Sequence, residues 1–566
     1  MCRNHMQRKP LKMVQNFADG VMKVFKPTAH LENQLIMPGD FFLPFGGKLD
    51  EENRWVQLAR LVPWAEAEKK YGQFFKDTFR GQQTISLRMG LGALIIQERM
   101  QLTDRETLES ISENPYMQYF IGLSGFVMKQ PFHHSMMTHF RKRLTDVLAE
   151  LNEIVASVGA KEMKDDDDNN DSSGDGVKVK QSKKRVPAAE AEQQTMLVEA
   201  SVESSEAAPP VEQMVAESKA LETTAPVSEV HPVSSAESEA PALPNQGTVL
   251  VDATCAPADV AYPTDLNLLN EAREKLEAII DTLHEPVIGQ TAKPRTYRKK
   301  ARKQFLAVSK QRRPGPKVIR KAIRRQLGYV GRNLEIIAKQ AKEQPLTLLS
   351  RKAYRDLLVI HELYRQQLQM YNERSHQMED RIVSIHQPHV RPIVRGKAKA
   401  RVEFGAKIAV SMTKGYAFLD RMSWDNFNES TTLIDVIEQY RKRMGYYPAV
   451  VQADQIYRTR ENRSFCKQLG IRLSGPALGR KPKNGPSSEE KQVAKQDTGE
   501  RNAIEGKFGE GKRKYGLGCI RARLAKTSES VITLQLLVMN LERRLRVLFC
   551  LIFTMLSRRR LALNFG

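Results

Sequence analysis

Between residues 151 and 248 the chain changes character, and that break limits what can fold on either side of it. Asp165-Asp-Asp-Asp-Asn-Asn-Asp171 is followed by a short basic patch, Lys178 to Arg185, and then by a tract of Ala, Glu, Ser, Pro and Val without an aromatic residue. Such a segment buries too little apolar area to offset the entropy lost on ordering, so the sequence predicts an acidic, low-complexity, disordered linker. The chain is thereby divided into residues 1–150 and 249–566, each long enough to bury a core of its own.

Charge narrows the partners. The 566-residue chain carries a formal net charge of +23 at pH 7, which predicts a polyanionic partner over a merely soluble basic protein. Lys293 to Arg332 contains no acid; Tyr297-Arg-Lys-Lys-Ala-Arg-Lys303 and Arg312-Arg-Pro-Gly-Pro-Lys317 are its densest parts. A like-charge run of that length repels itself unless a polyanion neutralises it. Arg298, Lys299, Lys300, Arg312 and Arg313 are therefore read as contacts to nucleic-acid phosphates. Against this background the linker could act as an acidic mimic of DNA, but a plain tether is preferred, since acidic runs are usually just solvated.

Five scattered cysteines, with no CxxC pair, argue against a zinc ribbon or a disulfide framework and suit a reducing cytoplasm. The first residues are basic but lack an apolar run behind them, so no signal peptide is expected. Val547 to Leu556 is the longest apolar run, well short of the roughly 20 residues a bilayer requires, and arginines flank it. A buried C-terminal helix is expected there, not a membrane span.

In the first part, Phe41, Phe42, Phe45, Trp55 and Trp64 predict a packed lead-in. Leu87, Leu91, Leu94 and Ile95 share one helical face. Thr103-x-x-Glu106 is a capping box opening a second helix, which Asn114-Pro115 ends. A last helix after Pro131 points Met137, Phe140 and Leu144 inward and Arg141, Lys142 and Arg143 outward. A helix-turn-helix-like DNA reader and a small helical bundle with a charged face fit this pattern equally.

In the second part, Thr248-Val-Leu-Val-Asp252 and Ala449-Val-Val-Gln-Ala-Asp454 are short apolar runs ending in an acid, and both read as strands. Ala406 to Ser411 and Tyr416 to Asp420 read as a hairpin around Thr413-Lys-Gly415, and Ile471 to Ser474 as a further strand. Between the first strand and the rest lie helical patterns with stripes such as Leu269, Ala272 and Leu276, or Leu357, Ile360, Tyr364 and Leu368. They predict a helical, basic insertion at about 266–380. Farther on, a helix turning about 100° per residue brings Arg501, Glu505 and Lys512 onto one stripe, a carboxylate between two cations. A carboxylate that holds a divalent metal, flanked by cations that hold phosphates, explains that order. Singly, each acid has a plainer reading: Asp252 as a strand-end turn residue, Asp454 as a cap, Glu505 as the i,i+4 partner of Arg501. The joint order of strand Asp, strand Asp and helix Glu in so basic a chain favours chemistry.

These residues resemble the catalytic set of insertion-sequence transposases of the RNase H-like Asp-Asp-Glu type, in the group with an InsH-like N-terminal domain. The marks are Asp252-Ala-Thr, Tyr262-Pro-Thr-Asp-Leu-Asn, Ser384-Ile-His-Gln-Pro-His389, Val402-Glu-Phe-Gly-Ala-Lys407, Ala453-Asp-Gln-Ile-Tyr457 with Glu461-Asn-Arg463, and Arg501-x3-Glu505-x6-Lys512. The resemblance covers nearly all of the chain except 151–248. Thr498 stands where the family often has Tyr. The resemblance implies an α/β, multidomain chain: a helical domain at 1–150 that reads DNA ends, and an RNase H-like mixed-sheet catalytic domain at 249–566. It implies that Asp252, Asp454 and Glu505 are both catalytic and metal-holding, with Asp252 bridging two Mg²⁺ ions for which Mn²⁺ substitutes. Arg501, Lys512 and Arg463 would touch DNA. On the residues themselves, His386 and His389 tempt a metal reading but lack companion ligands, and Ser384 to His389 is read as a structural or DNA-side turn. The implied partners are double-stranded DNA, both terminal inverted repeats and target, and a second copy of the chain, in a prokaryotic cytoplasm at the nucleoid. A DNA-binding transposase relic without catalysis and an RNase H-like DNA nuclease are the alternatives.

Overall fold

The computed structural model describes residues 37–73, 85–163, 244–394, 402–475 and 487–564. Polar caps set the N-terminal helices. Asn53 accepts from the Trp55 amide at 2.9 Å to open α1 (Arg54–Leu61), and α2 (Trp64–Gly72) follows. Ser86 caps α3 (Leu87–Met100). Thr103 and Glu106 exchange both bonds of a capping box at the start of α4 (Asp104–Glu113). Asn114 ends α4 and caps α5 (Pro115–Phe120), whose leading proline needs no amide partner. α6 (Met136–Arg143) and α7 (Thr145–Glu162) complete the series.

Three expectations about this part need correction. Phe41, Trp55 and Trp64 are buried, but Phe42 and Phe45 are exposed. Arg141 is not an outward cation: its guanidinium pairs with Asp104 and donates to Gln97. And the chain does not lose order at 151. Val147, Leu148, Leu151, Val155 and Ala156 keep one apolar stripe buried, so α7 runs on to Glu162. Residues 164–243 of the expected linker lie outside the described residues, and the chain is described again from 244.

β1 (Thr248–Pro257) is the centre of a six-stranded mixed sheet. The chain leaves it for α8 (Asp265–His284), α9 (Arg298–Ser309), α10 (Pro316–Glu343) and α11 (Arg351–Glu373). These helices have their own core, with Leu269, Leu276 and Ile280 against Leu327, Val330, Ile360 and Leu363. The basic run lies on their outside, with Lys299, Lys300, Arg312 and Arg313 exposed to solvent. Leu368, expected in the buried stripe, is exposed, because Leu363, Gln366, Gln367 and Met370 form the inner face of that turn of α11.

The chain returns to the sheet as β2 (Arg391–Val394), β3 (Val402–Thr413) and β4 (Tyr416–Ser423). Lys414 and Gly415, at φ 49° and 76°, make the tight turn between β3 and β4 that such a hairpin needs. α12 (Leu433–Met444), β5 (Val450–Ala453), α13 (Arg460–Gln468), β6 (Arg472–Leu473), α14 (Ser488–Lys514) and α15 (Ala525–Asn564) follow. β1 pairs antiparallel with β3 and parallel with β5; β6 extends the parallel side, and β2 and β4 lie along the outer edge of β3. This is the α/β mixed sheet the resemblance implied, behind a helical N-terminal part.

One face of the sheet is covered by α12, through Val436 and Ile437 on Val249, Val251 and Val451. The other face joins a single core that runs from the N-terminal helices through Leu250, Ile408 and Val410 to Ile504, Ile532 and Leu537. Asn540 of α15 donates to Asn152 of α7 at 2.8 Å and to the Ala417 carbonyl at 2.7 Å, satisfying polar groups in that core. The run at Val547 is not buried as expected: Val547 to Phe549 are half-buried and Leu551 is exposed. Among the described residues no helix is long and apolar enough to cross a membrane.

Candidate active site

In the parallel pair β1–β5, Val251 stands opposite Ala453. The next residue of each, Asp252 and Asp454, therefore come off neighbouring strands together. The two-residue period sends Asp252 to the face of Leu250 and Ala256, which packs against Ile504 and Phe508 of α14. α14 brings Glu505 and Lys512 to the same place. All four line one open cleft of about 740 Å³, along with Lys407, Phe427, Glu429 and Phe508.

Asp252 lies inside β1, with β3 and β5 on its two sides, so the strand-end turn reading does not hold. Its carboxylate accepts from the Ala253 amide at 2.8 Å. Burial pushes that carboxyl up to about 6; the Ala253 bond opposes the shift, and the charges of Glu429, Asp454 and Glu505 add to it. Asp454 is exposed and does cap a short 3-10 turn, accepting from the Gln455 amide at 2.7 Å. Arg501 donates to Asp454 Oδ1 at 2.9 Å, and its other terminal nitrogen is 4.0 Å from Glu505 Oε1. The cap and the i,i+4 contact are thus real, yet both acids also face the cleft. Behind Asp454, Gln452 bonds to Asp497 and Glu500 of α14, and Arg472 grips Asp497 with two bonds at 2.8 and 2.9 Å. These contacts fix the helix against β5 and β6.

Among the described residues no three carboxylate, imidazole or thiol groups stand close enough to enclose an ion. The donor chemistry nevertheless suits a hard divalent cation. The cleft is lined by carboxylates and amide oxygens, and by no cysteine or histidine among the described residues. The neighbouring carboxylates that raise the affinity of the Asp252 carboxyl for a proton also raise its affinity for a cation.

Other candidates lie elsewhere. Arg463 donates to the Thr459 carbonyl at the start of its own helix, at 3.2 Å, and does not line the cleft. Arg298 is held by two bonds of 2.9 and 2.8 Å to Asp281. Lys299, Lys300, Arg312 and Arg313 sit on the helical insertion, outside the cleft. His389 packs its ring on Trp424 at 4.4 Å, and burial beside Arg391 lowers it to about 4. Gln387 ties the same turn to the Asp259 carbonyl at 3.1 Å. Thr264 caps α8, and Asp265 accepts from Arg381 at 2.7 Å, so the Tyr262-Pro-Thr-Asp mark joins the insertion to the sheet. Lys407 and Glu429 were given no role from sequence. Lys407 was visible only as the end of Val402-Glu-Phe-Gly-Ala-Lys407, and Glu429 opens a single 3-10 turn, Glu429–Thr432, too short to leave a periodic signal.

Comparison with known families agrees with this picture at both ends of the chain. Residues 44–143 match the family described as Transposase domain (DUF772), and residues 451–542 match Transposase DDE domain. The second match takes in Asp454, Arg501, Glu505 and Lys512 and leaves Asp252 outside it. Both matched families are transposase domains, one over the N-terminal helices and one from β5 into α15. A curated protein of Rhizobium meliloti, "Uncharacterized protein ORF8 in nfe locus", is 36% identical over 89 residues. That stretch covers 16% of this chain and 42% of the length of the relative. No solved structure matches the chain.

Proposed function

We propose that the chain is a DNA transposase that cleaves the terminal inverted repeats of an insertion sequence and joins the freed 3′ ends to target DNA. The observation that carries this reading is that Asp252, Asp454 and Glu505, from two neighbouring strands and a helix, line one cleft with Lys512. Both steps are in-line displacements in which negative charge grows on the entering and leaving oxygens. Two Mg²⁺ ions, or Mn²⁺ in their place, held by these three carboxylates would neutralise that charge and activate the attacking oxygen.

The chain's own contribution is placement. Asp252 is the fixed member, because strands on both sides hold its backbone. Asp454 and Glu505 are exposed, and Arg501 holds Asp454 in register with α14. Arg501 and Lys512 would position the scissile and flanking phosphates as cations on the same helix stripe. The solvated Lys299, Lys300, Arg312 and Arg313 would hold flanking duplex through contacts that weaken with salt. The helical N-terminal part would recognise the element ends, and a homodimer would hold two ends together. A cytoplasmic site of action, at the nucleoid, follows from the substrate.

The test is cleavage and strand transfer on a duplex carrying the element's own terminal repeat, with and without Mg²⁺. Metal-dependent nicking at the repeat end, followed by joining, is the expected result. Binding without cleavage in Mg²⁺ or Mn²⁺ would mean a DNA-binding relic, and nicking without joining would mean a nuclease.

A further inference from the structure

We propose that Lys407 and Glu429 form a positioning pair for this cleft, in which Lys407 clamps the loop at 426–429 and the clamped Glu429 adds a fourth carboxylate to the field that draws cations in. The inference rests on the phosphoryl-transfer reading above and deepens it.

Lys407 projects from β3, paired with Cys255 of β1 on one side and Ser423 of β4 on the other, so its backbone is fixed. It is only 8% exposed although it lines the cleft. Its ammonium group donates to the Phe427 carbonyl at 2.8 Å, to Asn426 Oδ1 at 3.1 Å and to Glu429 Oε1 at 2.8 Å. Three donors meet three acceptors, and all three acceptors belong to one short loop. The same ammonium lies 5.0 Å from the centre of the Phe427 ring, and Arg421 lies 4.5 Å from it, so two cations contact that ring. At the far end of the loop, Asn428 accepts from the Ser430 amide at 3.1 Å, and the Ser430 carbonyl accepts from Asn462 at 2.8 Å. The loop wall of the cleft is thus pinned at both ends.

A clamp that served folding alone would not need Glu429. The carbonyl and amide oxygens of Phe427 and Asn426 already fasten Lys407, and a carboxylate added beside Asp252, Asp454 and Glu505 is repelled by all three. A lysine–glutamate pair out of water is also commonly no more stable than an apolar pair of like volume. The arrangement gains its use when a cation enters: Glu429 is then attractive, and Lys407 keeps it from swinging into the ion's place. Glu429, on the cleft wall and held there by Lys407, is therefore a positioning residue and not a catalytic one.

The experiment is Mn²⁺ binding to the full-length chain without DNA, followed by electron paramagnetic resonance, with melting temperature measured in parallel. Glu429→Gln keeps an oxygen for Lys407 and removes the charge. It is expected to weaken Mn²⁺ binding by about tenfold or more, with an unchanged metal-free melting temperature. Glu429→Asp, which keeps the charge but draws it back, is expected to fall between wild type and Glu429→Gln, and it carries the test if the Gln variant melts early. Mn²⁺ affinity equal to wild type in both variants, while Asp454→Asn loses it, would overturn the inference and leave the site reading intact. Equal affinity in wild type and Asp454→Asn would overturn the site reading, and this inference with it.

Discussion

Arg298 and Lys299 are neighbours in one basic run, but the fold treats them differently. Arg298 is engaged by two bonds to Asp281, and Lys293 adds a third to the same carboxylate at 2.8 Å. The Arg298 bond, joined by that of Lys293, holds the Asp281 carboxyl below its usual range. Lys299 is exposed to solvent. In a salt titration of duplex binding, Lys299→Ala should reduce the slope of log K against log salt by about 0.9, the share of one phosphate contact. Arg298→Ala should leave that slope unchanged and lower the melting temperature instead. A slope that moves with Arg298 and not with Lys299 would reverse the assignment. Sequence could not separate the two, because the partner of Arg298 lies 17 residues away on another helix. Composition reports that a run is basic; only the packing of α9 on α8 reports which of its cations is already paired.

At the level of elements, α7 ties the N-terminal helices to the sheet. Arg443 of α12 reaches both Glu153 of α7, at 2.5 Å, and Asp420 of β4, at 3.2 Å. Gly159 lets α7 approach β4, since a Cβ there would run into the buried Tyr416 ring. Gly159→Ala should therefore cost about 1–3 kcal/mol in thermal or denaturant unfolding; a neutral result would mean that α7 does not pack on the sheet in solution. A second seam joins α3 to α15. Arg99 pairs with Glu542, and Glu98 accepts from Gln535 at 3.3 Å. Burial pushes the Glu98 carboxyl up to about 7, against opposing effects from Gln535 and Arg141. A raised value means that the fold holds the protonated form: the contribution is full below about 4.5 and is lost as pH rises through about 7. Glu98→Gln should thus raise the melting temperature at pH 8 and leave it nearly unchanged at pH 5. An equal effect at both pH values would rule out titration of Glu98 as the cause. Elements with strong local signals were legible from sequence, among them the Thr103–Glu106 box, the Leu87 stripe and the Lys414-Gly415 turn. What escaped was set by tertiary packing: the run of α7 past 151, the exposure of Leu368, and the partial exposure of Val547 to Leu551.

On the scale of the whole molecule, the sheet has one face for α12 and one shared with the N-terminal helices, α14 and α15. The cleft opens on the shared face, so the proposed chemistry and the proposed end-reading part rest on one core. Asp454 was legible because it ends the short apolar strand β5, and Glu505 because it lies on a marked helix stripe; Asp252 was seen as the end of a run but lies inside the ten-residue β1. Glu429 was not, because a loop held by a lysine from another strand leaves no local pattern. The central claim is that Asp252, Asp454 and Glu505 form a phosphoryl-transfer site, and Asp252 tests it most directly, as the half-buried member that family comparison leaves unmatched. Single-turnover cleavage of a terminal-repeat duplex in Mg²⁺ should be measured for wild type and Asp252→Asn, with DNA affinity determined in parallel. The account predicts a loss of cleavage by a factor on the order of 10³ or more, the scale of removing preorganised charge stabilisation, with DNA affinity unchanged. Cleavage by Asp252→Asn at the wild-type rate would contradict it.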